Sequence, residues 1–521
     1  MTTLPEKRLA YVPKIPQALQ HLLHVRCEAD PSSPNVRPEI ADLFPHLHTT
    51  PSYRIVSGAA AKKAPLKVGV VFSGGPASGG HNVLAGLFDA LGQIHPASQL
   101  VGFVGGFSGL INNRCKALSL EQIDAVRNQG GFDLIGTGRT KLESMEDMQK
   151  AHAALHSFDA LVVIGGDDSN TNGALLAEYL LSQGSKTAII GVPKTIDGDL
   201  RSRDIELSFG FDSACKTYAE LIGNICRDAL STRKYYHFIK LMGRSASHIA
   251  VECALLTQPN LTIIGEERKS LAQIVQDIAD LIIRRKAVGK EFGVILVPEG
   301  LIEFMPEMGA LTGELSRGVL PEKLCPKDRA TWDLLPEKIQ SQLRNSKDPH
   351  GNVRVSQIST EELLIQLVKK ELVARNFQGS ANFQEHFFGY EGRSCLPTNF
   401  DANYAYSLGV LGALAARDRV TGVICAIRSL KETPDQWIPV LSSLVPMIHL
   451  EERNGLKKPV IAKVLVDVKG AYFLSFSTHR NQWALEDNYR FPGPIQFFGD
   501  TALTDSCPRI LELTSVYTPS T

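Results

Sequence analysis

The stretch KVGVVFSGGPASGG, residues 67–80, decides the fold class of this chain. Its first six residues form a short apolar run rich in valine, which predicts a buried β-strand at residues 67–72. The glycine-rich residues 73–80 follow directly, and a helical pattern begins at residue 81. Strand, glycine loop and helix in this order form the repeating unit of α/β proteins with parallel sheets.

The same pattern returns along the chain. Short apolar runs, each followed by polar or glycine-rich residues, occur at residues 100–104, 160–164, 187–192, 235–241, 292–297 and 420–425. Nearly continuous apolar strands that alternate with helices predict parallel sheets covered on both faces. Between about residues 305 and 385 the strands stop and the sequence becomes charged and helical. We therefore expect an α/β protein of two Rossmann-like lobes, with a helical insertion and an N-terminal extension.

Composition excludes several classes of protein. The chain has 521 residues, which is more than one typical core, and hydrophobic residues at 43% and charged residues at 21% are near average. Lys and Arg number 55 and so do Asp and Glu, so no basic excess indicates a nucleic-acid or membrane partner. The nine cysteines lack CxxC spacing and no apolar run approaches about 18 residues. We expect reduced thiols and a cytoplasmic protein.

Two loops combine residue types that suit phosphoryl transfer. GGDDSN, residues 165–170, places Asp167 and Asp168 where a strand passes into a helix, and Mg²⁺ is bound by one or two such carboxylates together with phosphates and water. An N-cap role would explain only one of the two. PKTIDGD, residues 193–199, combines Lys194, a hydroxyl and two carboxylates, which can neutralise a phosphate, accept a proton and help to hold the metal. The alternative for the second loop is a charged surface turn.

Other strand ends add weaker signals. Glycines in residues 73–80 allow backbone N–H groups to approach a phosphate, although such loops are often only tight turns. Arginines follow glycine in GTGR (136–139), MGRSASH (242–248) and YEGR (390–393), and PEG (298–300) ends another strand. Arginine grips a sugar phosphate with two hydrogen bonds. His46 and His48 could form half of a metal site, but exposed loop histidines are the favoured interpretation because no matching pair lies nearby.

Taken in order, GGDDSNTN (165–172), PKTIDGD (193–199), MGRSASH (242–248), PEG (298–300) and YEGR (390–393) resemble the phosphofructokinase family, in its long pyrophosphate-dependent form. The resemblance covers roughly residues 67–480. It implies two α/β lobes with the active site in the cleft between them. It also implies a reversible, Mg²⁺-dependent reaction of fructose 6-phosphate with pyrophosphate that gives fructose 1,6-bisphosphate and phosphate.

The resemblance assigns roles to individual residues. Asp197 would take the proton of the sugar 1-hydroxyl, Asp167 would bind Mg²⁺, and Gly74 and Gly75 would contact the diphosphate. The residues implied for sugar-phosphate binding are Thr195, Ile196, Asp197, Lys234, Tyr235, Met242, Gly243, Arg244, Glu299, Tyr390, Glu391, Gly392 and Arg393. Lys234 and Tyr235 resemble the pair that reaches a neighbouring subunit's site, which implies a dimer at least and leaves open a larger assembly, a regulatory subunit or allosteric control.

Donor choice follows from two positions. Similar enzymes that use ATP carry glycine where Asp168 stands and a small residue where Lys194 stands. A carboxylate at 168 would collide with and repel a nucleotide α-phosphate, and a lysine at 194 would neutralise the leaving phosphate. The pair predicts pyrophosphate as donor. Three rivals remain: an ATP-dependent kinase of the same fold, a sugar-phosphate-sensing subunit without catalysis, and a Rossmann oxidoreductase, which lacks its GxGxxG signature here.

The expected organisation follows from these assignments. Residues 1–65 form an N-terminal extension, and residues 66–230 form the diphosphate- and Mg²⁺-binding lobe, completed by part of residues 400–480. Residues 231–400 form the fructose 6-phosphate-binding lobe, with the helical insertion at about 305–385. Residues 401–521 are expected to pack across both lobes.

Overall fold

A computed structural model describes residues 2–32, 35–59, 64–346, 353, 357–453 and 456–514. Three sheets are formed by strands β1 (Val25–Ala29), β2 (Tyr53–Ser57), β3 (Lys67–Phe72), β4 (Gln99–Phe103), β5 (Cys115–Ala117), β6 (Ala160–Gly165), β7 (Ala188–Pro193), β8 (Tyr235–Leu241), β9 (Leu261–Thr262), β10 (Gly293–Pro298), β11 (Asn382–Phe388), β12 (Val423–Arg428), β13 (Ile438–Ser443), β14 (Ile448–Arg453) and β15 (Leu456–Ile461).

The large sheet has nine strands in the order β1-β2-β13-β12-β7-β6-β3-β4-β5. Its centre, from β12 through β7, β6 and β3 to β4, is parallel. Every residue of β6 and β7 is buried, because helices cover both faces of a parallel sheet. The outer strands β5, β13, β2 and β1 are antiparallel to their neighbours.

The small sheet has four parallel strands in the order β11-β8-β10-β9, and β14 pairs with β15 in a separate hairpin. The helices are α1 (Leu4–Leu9), α2 (Pro38–Ala41), α3 (Gly80–Ile94), α4 (Phe107–Ile111), α5 (Leu120–Asp124), α6 (Met145–Leu155), α7 (Asp167–Ser182), α8 (Phe211–Thr232), α9 (His248–Thr257), α10 (Leu271–Ala287), α11 (Leu301–Phe304), α12 (Pro306–Ser316), α13 (Pro326–Leu334), α14 (Glu337–Asn345), α15 (Thr360–Ala374), α16 (Asn399–Arg417), α17 (Ala471–Leu485), α18 (Thr501–Thr504) and α19 (Arg509–Glu512).

The prediction of two parallel-sheet lobes with a helical insertion is confirmed. Predicted strands 67–72 and 235–241 coincide with β3 and β8, and the other predicted runs overlap an observed strand. Helices α12 to α15 occupy the predicted insertion, and their apolar residues form a core with the small sheet. None of the described helices is long and apolar enough to cross a membrane.

The N-terminal extension forms part of the large sheet instead of lying only on the surface of the protein. Its strands β1 and β2 continue the large sheet beyond β13. Arg8 is 0% exposed, and its guanidinium donates hydrogen bonds to Asn399 Oδ1 at 2.8 Å and to the Pro397 carbonyl at 3.0 Å. The rings of Tyr11 and Phe497 lie against the same guanidinium. The extension is therefore anchored to the segment that leads into α16.

Helices α3 and α16 pack so closely that only glycine fits at their contact. A β-carbon at Gly409 of α16 would collide with the Val83 carbonyl of α3. A β-carbon at Gly86 would collide in the same way with the Tyr406 carbonyl. Both helices begin near the cleft described below, so this contact fixes the first glycine loop relative to residues 390–398.

Candidate active site

A cleft lies where the carboxyl ends of the large and small sheets face each other. The loops after β3, β6 and β7 line one side, and residues that follow β8, β10 and β11 line the other. Ligands bind at this edge in open α/β sheets, since the loops diverge there and helix N-termini point inward. The predicted site residues that line the cleft are Gly74, Gly75, Asp167, Asp168, Lys194, Thr195, Ile196, Asp197, Met242, Arg244, Glu299, Tyr390 and Arg393.

Five predicted residues do not line it. Gly243 donates its N–H to the cleft residue Glu299, and Glu391 and Gly392 lie in the chain between the cleft residues Tyr390 and Arg393. Lys234 and Tyr235 lie at the amino end of β8, whereas the cleft lies beyond its carboxyl end at Leu241. At about 3.3 Å per residue, the strand separates them from the cleft by roughly 20 Å.

The two acidic side chains after β6 lie in the first turn of α7. Gly166 precedes the helix as its N-cap, so Asp167 and Asp168 stand at the N-terminal end of α7, where negative charge is favoured. Oδ2 of Asp168 lies 3.3 Å from the ammonium nitrogen of Lys141. Oδ2 of Asp167 lies 3.6 Å from that of Lys463. The two carboxylates therefore face different cations on two sides of the cleft.

The loop after β7 carries the buried charged residues Lys194 and Asp199. The Lys194 backbone N–H donates to the Gly165 carbonyl at 3.0 Å, which ties the end of β7 to that of β6. Burial lowers the pKa of Lys194 to about 8, although the Asp197 carboxylate opposes this change. Gly198 has a φ of 72°, and a β-carbon there would touch the Phe211 ring. A residue other than glycine would therefore strain the loop that carries Asp197.

Two carboxyl groups of this loop have raised pKa values. Burial raises the pKa of Asp197, and the positive charges of Arg244 and Lys463 oppose the rise. Burial, followed by repulsion from Asp197 and Asp167, raises the pKa of Asp199 to about 7. The carboxylates of Asp167, Asp197 and Asp199 therefore repel one another in a site where burial already disfavours negative charge. A bound cation would relieve this repulsion.

The small-sheet side offers groups suited to a sugar phosphate. Glu299 Oε2 accepts a hydrogen bond from the Gly243 backbone N–H at 3.1 Å, which holds the carboxylate next to Arg244. The backbone at Gly243 has a φ of 137°, a conformation open mainly to glycine. Burial raises the pKa of Glu299. Arg244 can thus bind an anion next to a carboxyl group that accepts hydrogen bonds from sugar hydroxyls.

Residues 390–393 close the cleft. Gly392 packs against the Tyr218 ring, leaving no room for a β-carbon, and the Tyr218 hydroxyl donates to the Gly389 carbonyl at 2.5 Å. The Arg393 guanidinium lies against Gly75 and 5.2 Å from the centre of the Tyr390 ring. Tyr390 is 70% exposed. Arg393 therefore joins the first glycine loop to the small-sheet side.

Four charged cleft residues were not among the named site residues. Arg139 was noted only as one of the strand-end arginines suited to a sugar phosphate, and its segment lies beside the first glycine loop through the Gly74 N–H bond to the Gly138 carbonyl. Asp199 was within a recognised motif, and Lys141 follows Arg139 by two residues. Lys463 had no local signal, since it stands far from every recognised motif. His46, which the sequence offered as half of a metal site, lies outside the cleft: its Nδ1 is 2.5 Å from Glu178 Oε1.

The donor groups of the cleft fit Mg²⁺. Within the described residues no cluster of three or more His, Cys, Asp or Glu side chains could hold a metal ion by itself. Mg²⁺ does not need one, because it usually takes one or two carboxylates and completes its shell with phosphate oxygens and water. Asp167 supplies such an oxygen in a cleft whose carboxyl groups repel one another.

Comparison with known proteins adds independent information. The phosphofructokinase family model matches residues 67–415. The chain is 44% identical to the pyrophosphate–fructose 6-phosphate 1-phosphotransferase of Entamoeba histolytica, over 98% of this chain and 99% of that protein. It is 47% identical to the beta 1 subunit of the Arabidopsis thaliana enzyme of that name, over 91% and 88%.

A solved structure supports the fold. The pyrophosphate-dependent phosphofructokinase of Marinobacter aquaeolei superposes with a TM-score of 0.56 at 16% identity, over 79% of this chain and 91% of that one. At 16% sequence identity, this similarity shows a shared fold and no more.

Proposed function

The chain belongs to the phosphofructokinase family, and we propose that it transfers a phosphoryl group reversibly from pyrophosphate to the 1-hydroxyl of fructose 6-phosphate. The products are fructose 1,6-bisphosphate and phosphate. The full-length relatives named for this reaction support the proposal. The observation that carries the donor assignment is the position of Asp168 and Lys194 on the same cleft wall as the first glycine loop.

Asp197 is the general base. Its carboxylate accepts the proton of the sugar 1-hydroxyl as the oxygen attacks phosphorus. Its raised pKa supports this role, because a base with a pKa closer to neutrality accepts the proton more readily. Thr195 holds the turn through a hydrogen bond from the Asp197 backbone N–H to its hydroxyl at 3.1 Å.

The donor side binds pyrophosphate. Gly74 and Gly75 bring no side chains into the donor subsite. The Gly74 N–H is bonded to the Gly138 carbonyl, so Gly75 is the residue proposed to contact the diphosphate through its N–H. The Lys194 ammonium group lies within 3.3 Å of where a Gly74 β-carbon would stand. Lys194 neutralises charge on the leaving phosphate. Asp168 fills the space that a nucleotide α-phosphate would need, so the shorter donor is preferred.

The acceptor side binds fructose 6-phosphate. Arg244 and Arg393 bind its phosphate, and Glu299 accepts hydrogen bonds from its hydroxyls. The remaining residues proposed to line or support this subsite are Thr195, Ile196, Met242, Gly243, Tyr390, Glu391 and Gly392. The raised pKa of Glu299 and the lowered pKa of Arg393, both caused by burial, support a site whose charges are completed by a ligand.

Mg²⁺ is the proposed cofactor, with Asp167 as its protein ligand. When bound, it neutralises the diphosphate charge and makes phosphorus more open to attack. Asp167 orients that charge from the start of α7, while Asp197 moves the proton. The repulsion among Asp167, Asp197 and Asp199 supports a cation at this position.

The assembly and organisation are also proposals. We propose a homodimer at least, with Lys234 and Tyr235 contributed to the partner's sugar-phosphate site, because both lie about a strand's length from the cleft of their own chain. A regulatory partner remains compatible with this arrangement. We propose lobes at residues 66–230 and 231–400, and the position of β12 and β13 in the large sheet supports the completion of the first lobe by later residues. Nine free cysteines support a reducing compartment such as the cytoplasm.

The test measures formation of fructose 1,6-bisphosphate from fructose 6-phosphate and Mg²⁺, with pyrophosphate or ATP at matched concentration. We expect product with pyrophosphate only. Product with ATP only would overturn the donor assignment and keep the family. No product with either donor, despite sugar-phosphate binding, would favour a subunit without catalysis.

A further inference from the structure

Nine residues between β15 and α17, residues 462–470, form a segment that we name the C-terminal strap. The strap lies beyond residue 415, where the match to the phosphofructokinase family model ends, although the relatives of the chain align over this part as well. It has no regular secondary structure, yet it reaches the cleft between the two sheets. One of its side chains, Lys463, lines that cleft.

Hydrogen bonds anchor the strap to both lobes. Just before it, the Ile461 N–H donates to Thr171 Oγ1 of α7 at 3.0 Å. The Val464 N–H donates to the Asp199 carbonyl at 2.8 Å, and its own carbonyl lies 2.9 Å from His248 Nε2 at the start of α9. The Val466 N–H donates to Glu266 Oε1 at 3.0 Å.

These anchors flank Lys463 on both sides. Backbone held at residues 461, 464 and 466 fixes the point from which the Lys463 side chain leaves the strap, and Ser245 Oγ then holds its ammonium group. Two of the anchors belong to elements that already carry cleft residues, namely α7 with Asp167 and the loop with Asp199. The ammonium group is therefore positioned by the same scaffold as the proposed metal ligand and base.

The ammonium nitrogen of Lys463 stands between the two halves of the cleft. It lies 2.8 Å from Ser245 Oγ, next to Arg244 on the sugar-phosphate side, and 3.6 Å from Asp167 Oδ2 on the donor side. Its charge also acts on Asp197, where it opposes the effect of burial on the carboxyl pKa. A phosphoryl group that moves from the donor loop to a hydroxyl beside Asp197 must pass through this region.

The contacts of Lys463 leave it able to bind an anion. An ammonium group has three N–H donors, and Ser245 takes one of them. The distance of 3.6 Å to Asp167 exceeds that of a hydrogen bond, so this ion pair is loose. The side chain is 29% exposed and faces the cleft. If the role of Lys463 were to hold the Asp167 side chain in place, the two groups would make a closer contact than this one.

We propose that Lys463 binds the phosphoryl group during its transfer, and therefore also binds the 1-phosphate of fructose 1,6-bisphosphate in the reverse reaction. This inference rests on the proposed function, because it assumes that sugar and donor occupy the sides assigned above. It makes the C-terminal strap part of the active site. Lys194 acts on the leaving phosphate, whereas Lys463 acts on the group that moves.

The first test measures binding, without Mg²⁺ and without turnover. Calorimetry compares fructose 1,6-bisphosphate with fructose 6-phosphate on the wild type, Lys463→Met, Lys463→Arg and the control Lys469→Met, an exposed lysine of the same strap. For Lys463→Met we expect affinity for the bisphosphate to fall about 10- to 100-fold, as for a lost charged hydrogen bond. Affinity for fructose 6-phosphate should change less than about twofold, and Lys469→Met should match the wild type.

The second test measures kinetics with pyrophosphate. In Lys463→Met, kcat should fall about 10²- to 10³-fold in both directions while the KM for fructose 6-phosphate stays constant. Lys463→Arg keeps the charge and should recover part of the loss. Unchanged binding of the bisphosphate, or equal weakening of both sugars, would overturn the inference, since equal weakening indicates a displaced strap. A wild type that does not turn over pyrophosphate would instead refute the proposed function.

Discussion

The ammonium nitrogen of Lys141 lies 3.3 Å from Oδ2 of Asp168 at the donor side of the cleft. Both side chains are more than a third exposed, so solvent screens the pair and it adds little to the stability of the fold. The ion pair instead determines the position of the Asp168 side chain. The lysine holds the carboxylate on the cleft wall, next to the start of α7, where a longer donor would have to extend.

Replacing Asp168 tests the donor assignment. In Asp168→Gly the space and the negative charge both disappear, so ATP-dependent kcat/KM should rise about tenfold or more, equivalent to about 1.4 kcal/mol. Pyrophosphate-dependent kcat/KM should fall. Both are measured with fructose 6-phosphate and Mg²⁺. Lys141→Met is the comparison: it keeps the carboxylate but removes the cation that positions it, so the preference for pyrophosphate should weaken only in part. A donor ratio that is unchanged in Asp168→Gly would refute the steric account.

Replacing the proposed base tests the chemistry. Asp197→Asn has nearly the same shape but cannot accept the proton, so kcat should fall about 10²- to 10⁴-fold. Fructose 6-phosphate should still bind within a few-fold of the wild type, as measured by calorimetry. The control is Asp199→Asn, which removes the neighbouring carboxylate but keeps Asp197, the proposed base. A variant Asp197→Asn with nearly normal turnover would exclude this residue as the base.

The pH profile should be bell-shaped. Lys194 must carry its charge, and burial lowers its pKa from 10.5 to about 8, so kcat/KM should fall as the pH rises through about 8. Asp197 must be ionised, and its raised pKa moves the acidic limb above the usual carboxyl range. The charges of Arg393 and Arg139 favour the neutral lysine, while Asp167 favours the charged one.

Lys194→Arg separates these two limbs. Arginine keeps its charge at all accessible pH values, so the alkaline limb near pH 8 should disappear while the acidic limb stays. The measurement is kcat/KM for fructose 6-phosphate between about pH 5 and 10. An alkaline limb that persists unchanged would assign it to another group.

The buried Arg8 should anchor the N-terminal extension. Arg8→Met removes its hydrogen bonds to Asn399 and Pro397 and should destabilise the extension by about 2 kcal/mol. Limited proteolysis within the first 30 residues should become faster, and the temperature of half-inactivation should fall. Lys7→Met, an exposed residue of the same helix, is the control and should behave as the wild type. Equal proteolysis of both variants would show that Arg8 does not hold the extension.

Two glycines should respond in opposite directions to the same change. Gly409→Ala places a β-carbon against the Val83 carbonyl between α3 and α16 and should destabilise the protein by about 1 to 3 kcal/mol or more. Gly313→Ala, within α12 and with open space around it, should stabilise by about 0.5 to 1 kcal/mol. Thermal unfolding compares them. A stable Gly409→Ala would show that the two helices can separate at little cost.

The central strands were predictable because burial on both faces leaves a continuous apolar run. The edge strands were not. In β1 and β2 buried and exposed residues are mixed over only five positions, too little signal to distinguish a strand from an extended loop. β12 begins three residues later than predicted, because Gly422 adopts a φ of 72° and starts the strand only after its turn.

The candidate site was predictable where motif and topology coincide. Asp167, Lys194 and Asp197 each follow a parallel strand, and the carboxyl ends of such strands meet at one edge. Lys463 reaches the same place without a strand of its own, through hydrogen bonds made by residues around it in the strap. The position of Lys463 depends on packing between segments that are distant in the sequence, so no local sequence pattern predicts it.

The position of the C-terminal strap also affects how the chain matures. Synthesis proceeds from the N-terminus, so the glycine loops and the four cleft aspartates are made long before residue 463. Until β12 and β13 emerge, one edge of β7 has no neighbouring strand, and β2 has nothing to pair with on its inner side. An incomplete chain therefore exposes a sheet edge that could pair wrongly. Lys463, the last cleft cation in the sequence, leaves the ribosome only when about nine-tenths of the chain has done so, and a chain that ends earlier lacks this cation.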